Sequence, residues 1–159
     1  MFVFFFLGMT LLASVINIFL TQKPHSVKNI EEIFLRYLLF FNVGLVGLFA
    51  FYGHAFMADQ VAISIGWAPG SPFQYEIAIA NLVFGILGVL CLWIKDNFWL
   101  ATGLGFAIFG LGAAVGHIRQ ALVFQDYAIN NVGPVLFLGD IFVPLLIIIL
   151  IFSYRVIKD

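Results

Sequence analysis

Five apolar stretches, each close to the roughly 20 residues a helix needs to cross hydrocarbon, leave this chain little choice of architecture. They run over 2–20, 36–56, 75–94, 98–117 and 134–153. The runs are continuous and lack the polar–apolar alternation of an outer-membrane barrel strand, so each is expected to be a helix. Of the 159 residues, 64% are hydrophobic and 9% charged. A soluble domain carries about 25% charged residues, so most of this surface must face lipid. No polar stretch is long enough to fold alone. The expected fold is an all-α membrane protein, with five transmembrane helices in one bundle and residues 1–159 as a single domain.

Several function classes fall away at once. The net charge is −1 and no basic stripe exists, so nucleic acid is not an expected partner. The one cysteine, Cys91, rules out a disulfide framework and a CxxC redox pair, and reads as packing. No phosphate-cradling glycine motif, HExxH metal pair or nucleophile elbow is present. The first stretch has no basic segment before it and no clear small-residue cleavage site before Lys23, so it is read as a mature helix.

The basic residues set an orientation. Lys23, Lys28 and Arg36 follow the first span, Lys95 lies between the third and fourth, and Arg155 and Lys158 follow the fifth. Six of the seven Lys and Arg residues thus share one side, and Arg119 alone falls on the other. The positive-inside rule predicts an outer N-terminus and an inner C-terminus, in a cytoplasmic membrane. Trp93, Trp99, Tyr37 and Tyr154 mark the inner interface; Tyr52, Trp67, Tyr75 and Tyr127 mark the outer one. Residues 95–97 predict a tight inner turn that makes spans three and four close antiparallel neighbours. After Pro24, Ile30, Ile33, Phe34 and Tyr37 recur at helical spacing, as in an interfacial lead-in to span two. The outer connections, 57–74 and 118–133, are half apolar and are expected to fold back as a lid.

Membrane helices pack through small residues. In span four, Gly103, Ala107, Gly110 and Ala114 form such a stripe and lead to His117, with Ala101, Gly105, Gly112 and Gly116 flanking it. Gly47, Ala50 and Ala58 do the same around His54. Ala78, Asn81, Gly85 and Gly88 give span three a small, polar face. Glu76 lies about 140° from Asn81 around that helix, at five steps of about 100°. In span five, Pro144 has no N–H, so the carbonyl of Asp140 loses its usual partner.

His54, Glu76, His117 and Asp140 are therefore the candidate site. Each lies on a different span, and all four fall near the outer end. Ionisable groups at membrane depth are costly and usually face a bundle interior. Two imidazoles with two carboxylates suit zinc, iron or manganese; a haem between His54 and His117 fits less well. Asp59, Gln74, Asn81 and Arg119 complete the expected outward-facing polar pocket, with Arg119 expected to pair with Asp126 or Asp59. The plainer reading makes both histidines hydrogen-bonded helix-end residues, Glu76 a helix-start carboxylate and Asp140 a buried polar bridge. Three function classes remain: a protein binding or transporting a metal ion or small polar solute, an accessory subunit of a membrane complex, and a metal or haem enzyme. Partners are the lipid bilayer and, as an open alternative, a second copy or another membrane subunit.

The run Ile65-Gly66-Trp67-Ala68-Pro69-Gly70-Ser71-Pro72-Phe73-Gln74, followed by Glu76 and Asn81-Leu82, carries a resemblance. Gly116-His117-Ile118, Asn131, Gly133, Asp140 and Pro144 extend it. Over residues 45–150 the chain resembles a family of small multi-pass bacterial and archaeal membrane proteins known only as a domain of unknown function. The resemblance implies that the outer loop and the polar cluster belong to one unit. It brings no activity with it.

Overall fold

The computed structural model describes residues 2–21 and 26–157, all helix, turn and loop. Lys23, Pro24 and Lys158, which bear on the orientation and the lead-in, lie outside the described residues. Five helices are long and apolar enough to cross a membrane: α1 (Phe2–Leu20), α2 (Val27–Phe56), α4 (Phe73–Leu90), α5 (Asn97–Phe124) and α6 (Ile129–Val156). A short α3 (Ala58–Ser64) sits between α2 and α4. The architecture is that of a multi-pass membrane protein.

Two helices run past the apolar stretches that announce them. The expected lead-in is continuous with the second span, because the Ser26 hydroxyl accepts the Asn29 N–H (3.3 Å) and starts one helix there. Hydropathy ends the fourth span at residue 117 and makes 118–133 a lid. Instead α5 continues to Phe124, and Gln125 stops it in a left-handed conformation (φ 55°). Residues 118–121 keep helical order without needing apolar continuity, so hydropathy alone closes the span too early.

Both α2 and α6 contain wide turns. Leu39–Leu45 in α2 and Val135–Phe142 in α6 are π-helical. In α6 the wide turn abuts Pro144, which can offer no N–H to the preceding carbonyls. Irregular backbone at membrane depth is stable only where protein or a water-lined cavity meets it.

Glycines decide which helices touch. A Cβ on Gly88 would land on the Gly44 backbone, and one on Gly47 would meet the Asn81 carbonyl oxygen at 2.8 Å and Gly85 N at 2.7 Å. The α2–α4 seam is therefore backbone against backbone. On the other side, Gly103 faces Ile147 and Ile151, and Gly110 faces Pro144 at 3.0 Å, so α5 packs on α6. The expected tight pairing of spans three and four is corrected: α4 and α5 share the turn at Asp96 (φ 57°) but meet mainly through Phe84 on Phe106 and Phe109. The larger glycine seams pull them to different partners. Of the two small-residue patterns on α5, Gly103, Ala107, Gly110 and Ala114 are buried, whereas Gly112 and Gly116 are exposed.

The apolar core lies towards the end of the bundle that carries Glu32 and Lys95, with Leu35, Leu38, Leu39, Val43, Trp99 and Ile147 fully buried. Trp99 is not an interface marker; its indole N–H donates to the Cys91 carbonyl (2.8 Å) in that core. Glu32 holds Arg36 (2.9 Å) and Lys95 (2.5 Å), tying α2 to the α4–α5 turn. Ser153 on α6 donates to Glu31 (2.8 Å). This is the basic end; the opposite end carries both candidate histidines.

Candidate functional site at the histidine end

Close approach of α2 and α4 brings the last turns of α2 against the first turn of α4. His54 Nδ1 lies 2.6 Å from Gln74 Oε1, and Gln74 is 7% exposed. The loop before α4 makes this contact. Gly66 and Gly70 take positive φ (81° and 82°), and the Asp59 carboxylate accepts the Gly70 N–H at 2.8 Å. Asp59 thus braces the loop from α3 and does not enter a pocket.

His117 has a fuller set of partners. Its Nδ1 is 2.7 Å from Asn131 Oδ1. The Asn131 NH₂ donates to the Asp126 carbonyl (2.7 Å) and to the His117 carbonyl (3.3 Å). Two carbonyls can only accept, so the amide nitrogen must face them and the amide oxygen must face the ring. His117 Nδ1 therefore carries a proton and donates it, and Nε2 is the free end. Nε2 points to Asp140, with Oδ2 at 3.8 Å, and both side chains are largely buried (15% and 20% exposed). That separation is too long for a direct hydrogen bond and within reach of an ion pair. Asp140 Oδ2 is buried without a hydrogen-bond partner among the described residues.

A roof covers this pair. Trp67 stacks on the His117 ring, with centroids 6.0 Å apart and planes 28° from parallel. A Cβ on Gly66 would run into the Asp126 carboxylate, so only glycine lets the two loops meet there. Asp126 Oδ1 also accepts the Ala128 N–H at 3.1 Å. The 65–72 loop thus rests on the 125–128 loop, above His117. The Asp140 carbonyl, which can take no hydrogen bond from Pro144, faces Gly110, where a Cβ would stand 3.5 Å away.

The four candidate ligands do not come together as one set. His117 and Asp140 meet. His54 meets Gln74 instead of a carboxylate. Glu76 is exposed and makes no hydrogen bond or ion pair among the described residues. Among the described residues no three His, Cys, Asp or Glu side chains are grouped as a metal would need. Asn81 spends its NH₂ on the Ile77 carbonyl of its own helix (2.9 Å). Arg119 pairs with neither Asp126 nor Asp59, contrary to expectation. It lies over the Phe124 ring, 5.3 Å from its centroid, a cation–π contact along one helix that the extension of α5 makes available.

Asn131, Asp126 and Trp67 are the parts that sequence reasoning does not place in the site. By sequence, Trp67 reads as an interface marker and Asp126 as an ion-pair partner. The available signal is Asn131 itself: an amide side chain two residues before Gly133-Pro134, in the connection that follows the C-terminal end of a span, where free backbone carbonyls collect.

No curated protein and no solved structure matches the chain. The family model described as a family of unknown function (DUF6790) matches residues 1–159, the first span included, and the chain belongs to that family.

Proposed function

We propose that this is a multi-pass protein of a bacterial or archaeal cytoplasmic membrane, with its basic end in the cytoplasm and its histidine end outside. We infer a binding or transport role in which His117 and Asp140 hold a proton beneath the Trp67 roof. The observation that carries this reading is the fixed tautomer of His117. With Nδ1 committed to Asn131, the only free nitrogen faces a buried carboxylate oxygen that has no other partner among the described residues. One proton can sit on the carboxyl or on Nε2, and its position decides whether the pair is neutral or a carboxylate–imidazolium ion pair with the positive ring against Trp67. Protonated imidazole also binds an indole face more strongly than neutral imidazole does. A small polar solute entering beneath Trp67 would meet this pair. A bound metal is less well supported, because the remaining ligands lie elsewhere.

The test is an acid-minus-alkaline infrared difference spectrum of the protein in lipid. A carboxyl band that disappears in Asp140→Asn and moves in His117→Gln is expected. A band indifferent to His117→Gln would separate the two groups and remove the proposal. The accessory-subunit reading draws on a different observation, the exposed Gly112 and Gly116 on α5, where an added Cβ would meet nothing within 4 Å.

A further inference from the structure

We propose a second ligand site at the other end of the bundle: the cleft between α1 and α2 is a hydrated passage that takes water, or a neutral hydrogen-bonding solute of similar size, inward as far as Asn42. It does not depend on the His117 site.

The sequence of α1 sets it up. Thr10, Ser14 and Asn17 are the only hydroxyl or amide side chains in that helix, and Thr21 follows it. Steps of four, three and four put all four on one face. That face is turned to α2 and away from lipid, with Thr10 fully buried and Ser14 3% exposed. From α2 come Tyr37 and Asn42, the latter 3% exposed inside the π-helical turn. Asn17 donates to the Tyr37 hydroxyl (2.9 Å), and Asn42 donates to the Thr10 hydroxyl (2.7 Å).

Two atoms in this array are left over. Ser14 Oγ and Asn42 Oδ1 are buried without a partner among the described residues. Lipid offers neither a donor nor an acceptor, so an unpaired hydroxyl and amide oxygen at this depth are costly unless something polar reaches them. Two clefts begin on the same polar face, nearer the basic end. A cleft of about 90 Å³ is lined by Asn17, Thr21, Asn29, Glu32, Ile33 and Arg36, at the basic end. A second, of about 450 Å³, shares Asn17 and Thr21, runs past Ile16 and Leu20 on the exposed side of α1, and extends to Ala13 and Tyr37. It reaches Ala13, the residue before Ser14, and the proposed passage continues from there between α1 and α2 to Ser14 and Asn42.

The chemistry selects the occupant. Ser14 can give and accept one hydrogen bond, and Asn42 Oδ1 can only accept. A molecule carrying both a donor and an acceptor satisfies the pair. The polar side chains inward from Thr21 are Asn17, Tyr37, Ser14, Thr10 and Asn42, and none is charged at neutral pH. An ion would therefore enter low-dielectric surroundings without a counter-charge. At the mouth, Glu32 is already held by Arg36 and Lys95. The passage therefore favours neutral solutes.

Single cysteines in a Cys91→Ala background test this, using 2-hydroxyethyl methanethiosulfonate as a small neutral probe and its trimethylammonium analogue as a charged one. Leu11, 57% exposed on the lipid face of the same helix, is the control. A thiol reacts as thiolate, which forms only where water reaches it, so Ser14→Cys is expected to react with the neutral probe at least about tenfold faster than Leu11→Cys. Thr21→Cys at the mouth should react fastest, and both from the side that modifies Asn97→Cys. The cationic probe should reach position 21 and lag at position 14. Equal rates for Ser14→Cys and Leu11→Cys would show a dry helix contact and overturn the passage. Equal rates for the two probes at position 14 would overturn its preference for neutral solutes.

Discussion

His54 and His117 stand at the same end of the bundle, and each has Nδ1 against a carboxamide oxygen. The surroundings make them different groups. His54 is held by one contact across the α2–α4 seam, and Gln74 has no second hydrogen bond among the described residues to fix which end of its amide faces the ring. His117 is held by an amide that is itself pinned by two backbone carbonyls, and its other nitrogen looks at a buried carboxylate. The first arrangement joins two helices. The second defines a tautomer and leaves a reactive lone pair facing inward. A histidine at a helix end becomes a candidate for chemistry through what fixes its far nitrogen, more than through its depth in the membrane.

The contrast rests first on the seam that places His54, and Gly88→Leu is expected to have the largest effect on it. Its side chain would have to occupy the space of the Gly44 backbone, which cannot move as a side-chain tip can. Overpacking costs about 1–3 kcal/mol in ordinary cores and more where backbone is the obstacle. The expected outcome is loss of a monodisperse peak in detergent or a large fall in melting temperature. A Gly88→Leu protein that melts like the parent would show that the α2–α4 contact is looser than the glycine fit implies, and that His54 and Gln74 are not held together by it.

The difference between the two histidines can then be measured directly. Asn131→Leu strands the His117 N–H and the Asp126 carbonyl in a buried place, at about 1–3 kcal/mol for each group left unpaired. Gln74→Leu leaves one ring nitrogen of a half-buried histidine unpaired and should cost about 1 kcal/mol. The melting temperature should therefore fall clearly more for Asn131→Leu. Equal losses would remove the distinction between the two sites.

The helices were legible in the sequence because burial in lipid needs long apolar runs, and Gly103, Ala107, Gly110 and Ala114 on α5 were legible because close packing needs small residues at helical spacing. Partner choice was not. The short turn at 95–97 suggested that α4 and α5 pack together, but the fit of Gly44 to Gly88 and of Gly110 to Pro144 depends on three-dimensional register, which spacing within one helix does not encode. The site divides in the same way. His117 and Asp140 could be brought forward as costly residues in apolar spans. That Asn131 would fix the histidine, and that Glu76 would face outward while Gln74 two residues earlier faces His54, follows from the rotation of α4 after the Gly70 turn.

The smallest expected effect is also the most discriminating between the proposed role and the accessory alternative. Gly112 lies on α5 one turn from Gly116, and the adjacent Ile108 and Val115 are 74% and 67% exposed. An added side chain at Gly112 meets nothing in the protomer, so Gly112→Leu should leave the monomer's fold within about 0.5 kcal/mol of the parent, as is usual for surface sites. It should also gain slightly in helix propensity, since leucine is favoured over glycine in a helix by somewhat less than about 1 kcal/mol. If another helix, from a second copy or a different subunit, packs on this face, the same change blocks its approach, because small residues are what allow membrane helices to close up. Crosslinking in native membranes would read this out. A higher-mass species present in the parent and absent in Gly112→Leu, with the melting temperature unchanged, would favour the subunit reading. An unchanged pattern in both measurements would leave this face to lipid and the function to the histidine end.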